Sequence, residues 1–150
     1  MEAKERAMGK INWIRVLIGG LVAGVVINVL RFAFWALLGH PGLGAKLEAV
    51  GHALKETADT MVLWVMLYFL LGILLVWLYA AIRPRYGAGP GTAVVAGVAA
   101  GVLLLIPDIG WGSILTMIPA RVWAIDAGSN LVIAVVATLL GAWVYKEEEP

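Results

Sequence analysis

VLIGGLVAGVVINVLRFAFWALL, residues 16–38, decides the fold. A helix that crosses a bilayer needs about 20 consecutive apolar residues. From Ile14 to Leu38 only Arg15, Asn28 and Arg31 are strongly polar. Arg31 is the most informative of them. A charge at membrane depth is costly, so it faces protein or water and has a partner. Asp108 and Asp126, in or beside later apolar runs, are the candidate partners.

The rest of the chain matches this stretch. Hydrophobic residues make up 62% and charged residues 14%, against about half and a quarter in soluble domains. The mean hydropathy is +0.93. A length of 150 residues fits one domain, 1–150, and four spans with short loops use nearly all of it. The net charge of +1 says nothing about nucleic acid, no basic stripe with interleaved aromatics exists, and no nucleic-acid partner is expected. The absence of cysteine excludes disulfides, thiolate metal sites, thiol nucleophiles and iron–sulfur clusters.

Lys4, Arg6, Lys10 and Arg15 before the apolar run have the look of a signal peptide. No small-x-small cleavage site follows, and the run continues through Phe32, Phe34 and Trp35, so an uncleaved first span at about 12–38 is expected. A second span is expected at about 60–82, capped by Asp59 and Thr60. A third, at about 90–112, opens at Pro90 and is kinked or ended at Pro107. The fourth covers about 119–145. The expected fold class is therefore an all-α integral membrane bundle of four transmembrane helices.

Lys and Arg set orientation. The N-terminal tail, Arg83 with Arg85, and Lys146 fall on one side of a four-span layout. Lys46, Lys55 and Arg121 fall on the other, offset by Glu48, Glu56, Asp59 and Asp108. The expectation is a multi-pass protein of the cytoplasmic membrane with both termini inside. Trp77 to Tyr79 and Trp143 to Tyr145 would form the inner aromatic belt. The outer loop 39–59 has Leu43, Leu47, Val50 and Leu54 at helical spacing, which suits an amphipathic segment on the membrane surface.

The chain also reads as duplicated. LVAGVVINVL at 21–30 parallels VVAGVAAGVL at 94–103, and the second and fourth spans end in W-L-Y and W-V-Y. This would be a parallel repeat of two-span units, a plan some small transporters use. Ala, Gly and Val dominate any membrane helix, which is the plainer explanation.

Three stretches carry a family likeness: RVLIGGLVAGVVINV at 15–29, VWLYAAIRPRYGAGPGTA at 76–93 and GAWVYKE at 141–147. They resemble an uncharacterised family of small bacterial four-span inner-membrane proteins. The resemblance implies a bacterial inner-membrane protein. It implies no substrate, cofactor or catalytic residue.

Spacing assembles a polar cluster. Gly20, Gly24, Asn28 and Arg31 share one helix face, as do Gly97, Gly101, Leu104 and Asp108, and Asp126, Asn130, Ala134, Ala137 and Gly141. Small residues let helices approach closely, so these faces are expected to meet. Arg31 and Asp126 both lie about 10 Å from the outer ends of their spans at 1.5 Å per residue. Asn28 and Asn130 lie one turn deeper, and Tyr68 reaches a similar level. The expected arrangement is an Arg31–Asp126 pair above an Asn28–Asn130–Tyr68 layer, with Asp108 as a competing acid.

Other signals are weaker. Glu48, His52 and Glu56 fit one helix face, but a solvated polar face explains them better than a metal. Ser113 and Ser129 have no histidine base nearby in sequence, and Gly87, Gly89 and Gly91 lack a P-loop lysine. No cofactor or metal is expected. Membrane lipids are the expected partners, with a homo-oligomer or larger membrane complex as a further option. The leading function is a non-enzymatic structural, scaffold or lipid-associated role. The alternative is a small-solute or anion transporter or channel component working through the polar cluster.

Overall fold

The computed structural model describes residues 11–38, 57–114 and 120–146, without the side chains of residues 35, 38, 108, 111–114, 122 and 123. The Asp108 side chain and the 39–56 segment, with His40, Glu48, His52 and Glu56, thus lie outside the described residues. Four helices follow one another: α1 (Trp13–Leu38), α2 (Ala58–Tyr86), α3 (Pro90–Ile114) and α4 (Ala120–Val144). Among the described residues there is no strand. All four are long and apolar enough to cross a membrane, which makes the chain a multi-pass, all-α membrane protein.

Their boundaries follow from backbone chemistry. The Asn12 side chain accepts the Arg15 N–H at 3.0 Å and starts α1. Thr57, not Asp59 or Thr60, caps α2. Its hydroxyl accepts the Thr60 N–H at 3.4 Å, and the Thr60 hydroxyl accepts the Thr57 N–H at 3.0 Å, a reciprocal box that satisfies two orphan donors. Helix α2 then runs past the expected end at 82 and carries Pro84 in its last turn. Gly87 and Gly89 reverse the chain with φ of 87° and 139°, conformations that disfavour any side chain. Pro107 does not end α3, which continues to Ile114. Neighbouring helices let membrane helices keep a proline in this way.

The helices form a four-cornered bundle. Helix α1 packs most extensively with α2, and α3 with α4. Helix α4 also packs against α1, α2 meets both α3 and α4, and α1 and α3 stay apart. Close approach explains the glycines. A Cβ at Gly20 would lie 2.5 Å from the Ile73 Cα, and one at Gly24 would lie 2.8 Å from the Phe69 Cα. One at Gly97 would lie 2.7 Å from the Val135 Cα, and one at Gly101 would lie 2.5 Å from Leu131 Cδ1. Thus the small face of α1 meets α2, and that of α3 meets α4. The expectation that the three faces meet holds in part: Arg31 of the α1 face reaches Asp126 and Asn130 of the α4 face, and Gly97 of the α3 face lies against the Ala134 carbonyl of α4, but the α1 and α3 faces do not meet each other. Gly141 of α4 faces the Gly19 carbonyl, Val76 and Ala23, and joins the two pairs.

The core is built of small and branched residues, among them Val16, Ala23, Val76, Ala96, Ala137 and the fully buried Thr138. Thr138 donates to the Ala134 carbonyl at 2.7 Å, so it leaves no buried donor unmet. Leu21, Val25, Val29 and Phe32 point outward at helical spacing, as do Val94, Val98 and Val102. In water such a surface would drive aggregation; in a bilayer it is the lipid contact.

Candidate functional site

At one end of the bundle the polar residues of three helices converge on Arg31. Its Nη1 donates to Asp126 Oδ1 at 3.0 Å, Asn130 Oδ1 at 2.9 Å and Ser129 Oγ at 3.3 Å. Its Nε donates to the Tyr68 hydroxyl at 3.3 Å. The guanidinium carbon lies 5.7 Å from the Phe34 ring centroid, within cation–π range. The cluster therefore ties α1 to α2 through Tyr68 and to α4 through the other three.

The helix period builds the α4 side of the cluster. Asp126, Ser129 and Asn130 occupy positions i, i+3 and i+4, which share a face. Asn130 Nδ2 donates to Asp126 Oδ2 at 3.4 Å, so each carboxylate oxygen has a partner. Ser129 Oγ donates to the Asp126 carbonyl at 2.7 Å, leaving its lone pairs for Arg31. Tyr68 is held by Trp64, with ring centroids 5.8 Å apart. One carboxylate balances one guanidinium, and their side chains are 20% and 12% exposed.

The sequence-derived layer is rearranged in two ways. Asn130 and Tyr68 bond Arg31 directly instead of lying beneath it. Asn28 turns toward α2: its Nδ2 donates to the Gly24 carbonyl at 2.8 Å and approaches the Val65 carbonyl at 3.5 Å. Ser129, which has no histidine base nearby in sequence, is a contact of Arg31. The signal for it was its i+3 spacing from Asp126.

A second polar region lies at the opposite end. Trp77 and Trp143 are exposed, as a membrane-interface belt would be, but Tyr79 and Tyr145 are buried. Their rings meet edge to face, with centroids 5.9 Å apart. The Tyr145 hydroxyl accepts the Asn12 N–H at 3.3 Å, and the Tyr79 hydroxyl accepts the Gly89 N–H at 3.3 Å. The Arg83 guanidinium carbon lies 5.6 Å from the centroid of the Tyr145 ring. Tyr86, Gly89, Pro90 and Thr92 line an open hollow of about 380 Å³ at the α2–α3 turn. It lies at the opposite end from Arg31.

No protein-family model, curated protein or solved structure matches this chain.

Proposed function

We propose that the chain is a non-enzymatic protein of a bacterial cytoplasmic membrane, with both termini inside, that serves as a structural or lipid-associated scaffold. In this reading the Arg31 cluster is the lock that fixes how α1 and α4 sit. One observation carries it: Arg31 spends four hydrogen bonds on side chains of its own chain. Deeper in the bundle, Ile27, Ala23, Val76 and Ala137 are closed off from solvent. A solute site needs polar groups left free to replace the water of its ligand, and here Tyr68, Asp126, Ser129 and Asn130 are turned to Arg31 Nε and Nη1.

Orientation rests on charge. Among the described residues, Arg15, Arg83, Arg85 and Lys146 gather at the Tyr145 end without an acid, whereas the other end has Arg31 and Arg121 offset by Asp59, Asp108 and Asp126. An excess of Lys and Arg marks the cytoplasmic face.

The test replaces Arg31, Asp126, Asn28 and Asn130 together with apolar residues of similar volume. Exchange of a buried ion pair for packed apolar groups is often neutral or stabilising. A folded variant that still complements a deletion strain supports the scaffold. A folded variant that does not complement supports the transporter alternative.

A further inference from the structure

The burial pattern of the bundle repeats. Gly24 corresponds to Gly97, a step of 73 residues from α1 to α3, and Tyr79 to Tyr145, a step of 66 from α2 to α4. At these steps buried positions fall on buried positions: Gly19 on Thr92, Gly20 on Ala93 and Ala23 on Ala96. Gly72 likewise falls on Thr138, and Val76 on Ala142. Exposed positions also fall on exposed ones, such as Val29 on Val102, Met66 on Val132 and Leu74 on Leu140.

The contacts repeat as well, which composition alone does not produce. Gly24 against Phe69 becomes Gly97 against Val135. Asn28 beside Val65 becomes Gly101 against Leu131. The two tyrosines, which correspond to each other, also touch each other. Corresponding residues in contact lie on a two-fold axis. The pairing of helices obeys the same operation: α1 with α2 matches α3 with α4, α1 with α4 matches α3 with α2, and α1 and α3 lie apart.

We infer that the chain is two copies of one two-helix unit fused around a pseudo-two-fold axis, so that each unit presents a surface fitted to a second copy of itself, and that the Arg31 cluster is a latch carried by only one of the two equivalent seams. The equivalents of Arg31, Asp126, Asn130 and Tyr68 are Leu104, Thr60, Trp64 and Ala134. None of these can form an ion pair. The consequence is visible at that end. Every side chain of α2 over residues 61–67 is exposed, whereas in the matching stretch 127–133 of α4 only Gly128 and Val132 are. The Arg31 cluster ties the α1–α4 seam, and among the described residues the equivalent positions of the α2–α3 seam carry no such tie. The latch rests on the structural reading of the Arg31 cluster; the two-fold relation does not.

Spin-label pairs in the full chain test both parts, since it contains no cysteine of its own. All labelled sites are exposed to lipid, so the substitutions leave the core intact. Near the middle of the bundle, Leu21→Cys with Leu140→Cys spans the α1–α4 seam, and Val94→Cys with Leu74→Cys spans its equivalent. These pairs are expected to report the same distance, and unequal distances overturn the two-fold relation. Near Arg31, Val29→Cys with Val132→Cys spans the latched seam, and Val102→Cys with Met66→Cys the free one. The latched pair is expected to give a narrow, shorter distance distribution and the free pair a broader, longer one. Adding Arg31→Gln broadens the first and leaves the second unchanged. Equal distributions at the two seams in the native background overturn the latch, whether or not the Arg31 variant folds.

Discussion

Arg31→Met separates the energy of the lock from its geometry. Methionine keeps most of the side-chain length and packing but removes every donor. Four hydrogen bonds are lost, to Tyr68, Asp126, Ser129 and Asn130. Interhelical bonds in membrane proteins average about 0.6 kcal/mol, so their loss costs roughly 2 kcal/mol. The larger consequence is the stranded carboxylate, which retains Asn130 Nδ2 at 3.4 Å. Removing one partner of a fully buried pair costs about 3–5 kcal/mol. Asp126 is 20% exposed, so solvent relieves part of that. The expected loss is about 2–4 kcal/mol for the single variant. Adding Asp126→Leu removes the stranded charge and restores most of it, to within about 1 kcal/mol of the native chain. The assay is reversible unfolding in mixed micelles, as a double-mutant cycle. Additive effects of the two substitutions refute the reasoning, because a real pair must couple.

Packing and orientation give two further outcomes. Gly97→Ala places a Cβ 2.7 Å from the Val135 Cα, which forces α3 and α4 apart and lowers stability by about 1–3 kcal/mol. Gly91→Ala meets nothing within 4 Å and is expected to stabilise by about 0.5–1 kcal/mol; thermal unfolding of the pair compares them, and equal effects contradict the close-approach argument. For orientation, an impermeant thiol reagent added outside spheroplasts is expected to modify Asp59→Cys and spare Tyr86→Cys, and the reverse pattern inverts the proposed topology.

The parts of this molecule legible in its sequence are those a single physical rule decides. Membrane solvation fixes the length of each apolar run, so four helices were foreseen, with α3 opening at Pro90. Depth arithmetic placed Arg31 level with Asp126, and the structure brings them to 3.0 Å. Contests between rules were less legible. Thr57 outcompetes Asp59 and Thr60 because the reciprocal box needs residues three apart. Pro84 and Pro107 stay within helices because a membrane helix held by neighbours tolerates them. Glycine faces show that something comes close but carry no label for what, so the partners of α1 and α3 came only from the fold. Asn28 illustrates the same limit: its amide is satisfied within α1 and by α2, and residue type alone does not choose among acceptors at one depth.

The central claim is that the Arg31 cluster locks α1 to α2 and α4 at one end of a buried interior. Ala134 is 2% exposed and lies one turn along α4 from Asn130, on the inner side of the lock. Since the chain holds no other cysteine, labelling of Ala134→Cys reports on that one position. In intact membranes the account predicts that a water-soluble, impermeant thiol reagent fails to modify it from either side, while the same reagent modifies it fully after denaturation. Rapid modification in the folded protein, slowed by an added anion, would contradict the lock and establish a water-filled path to Arg31.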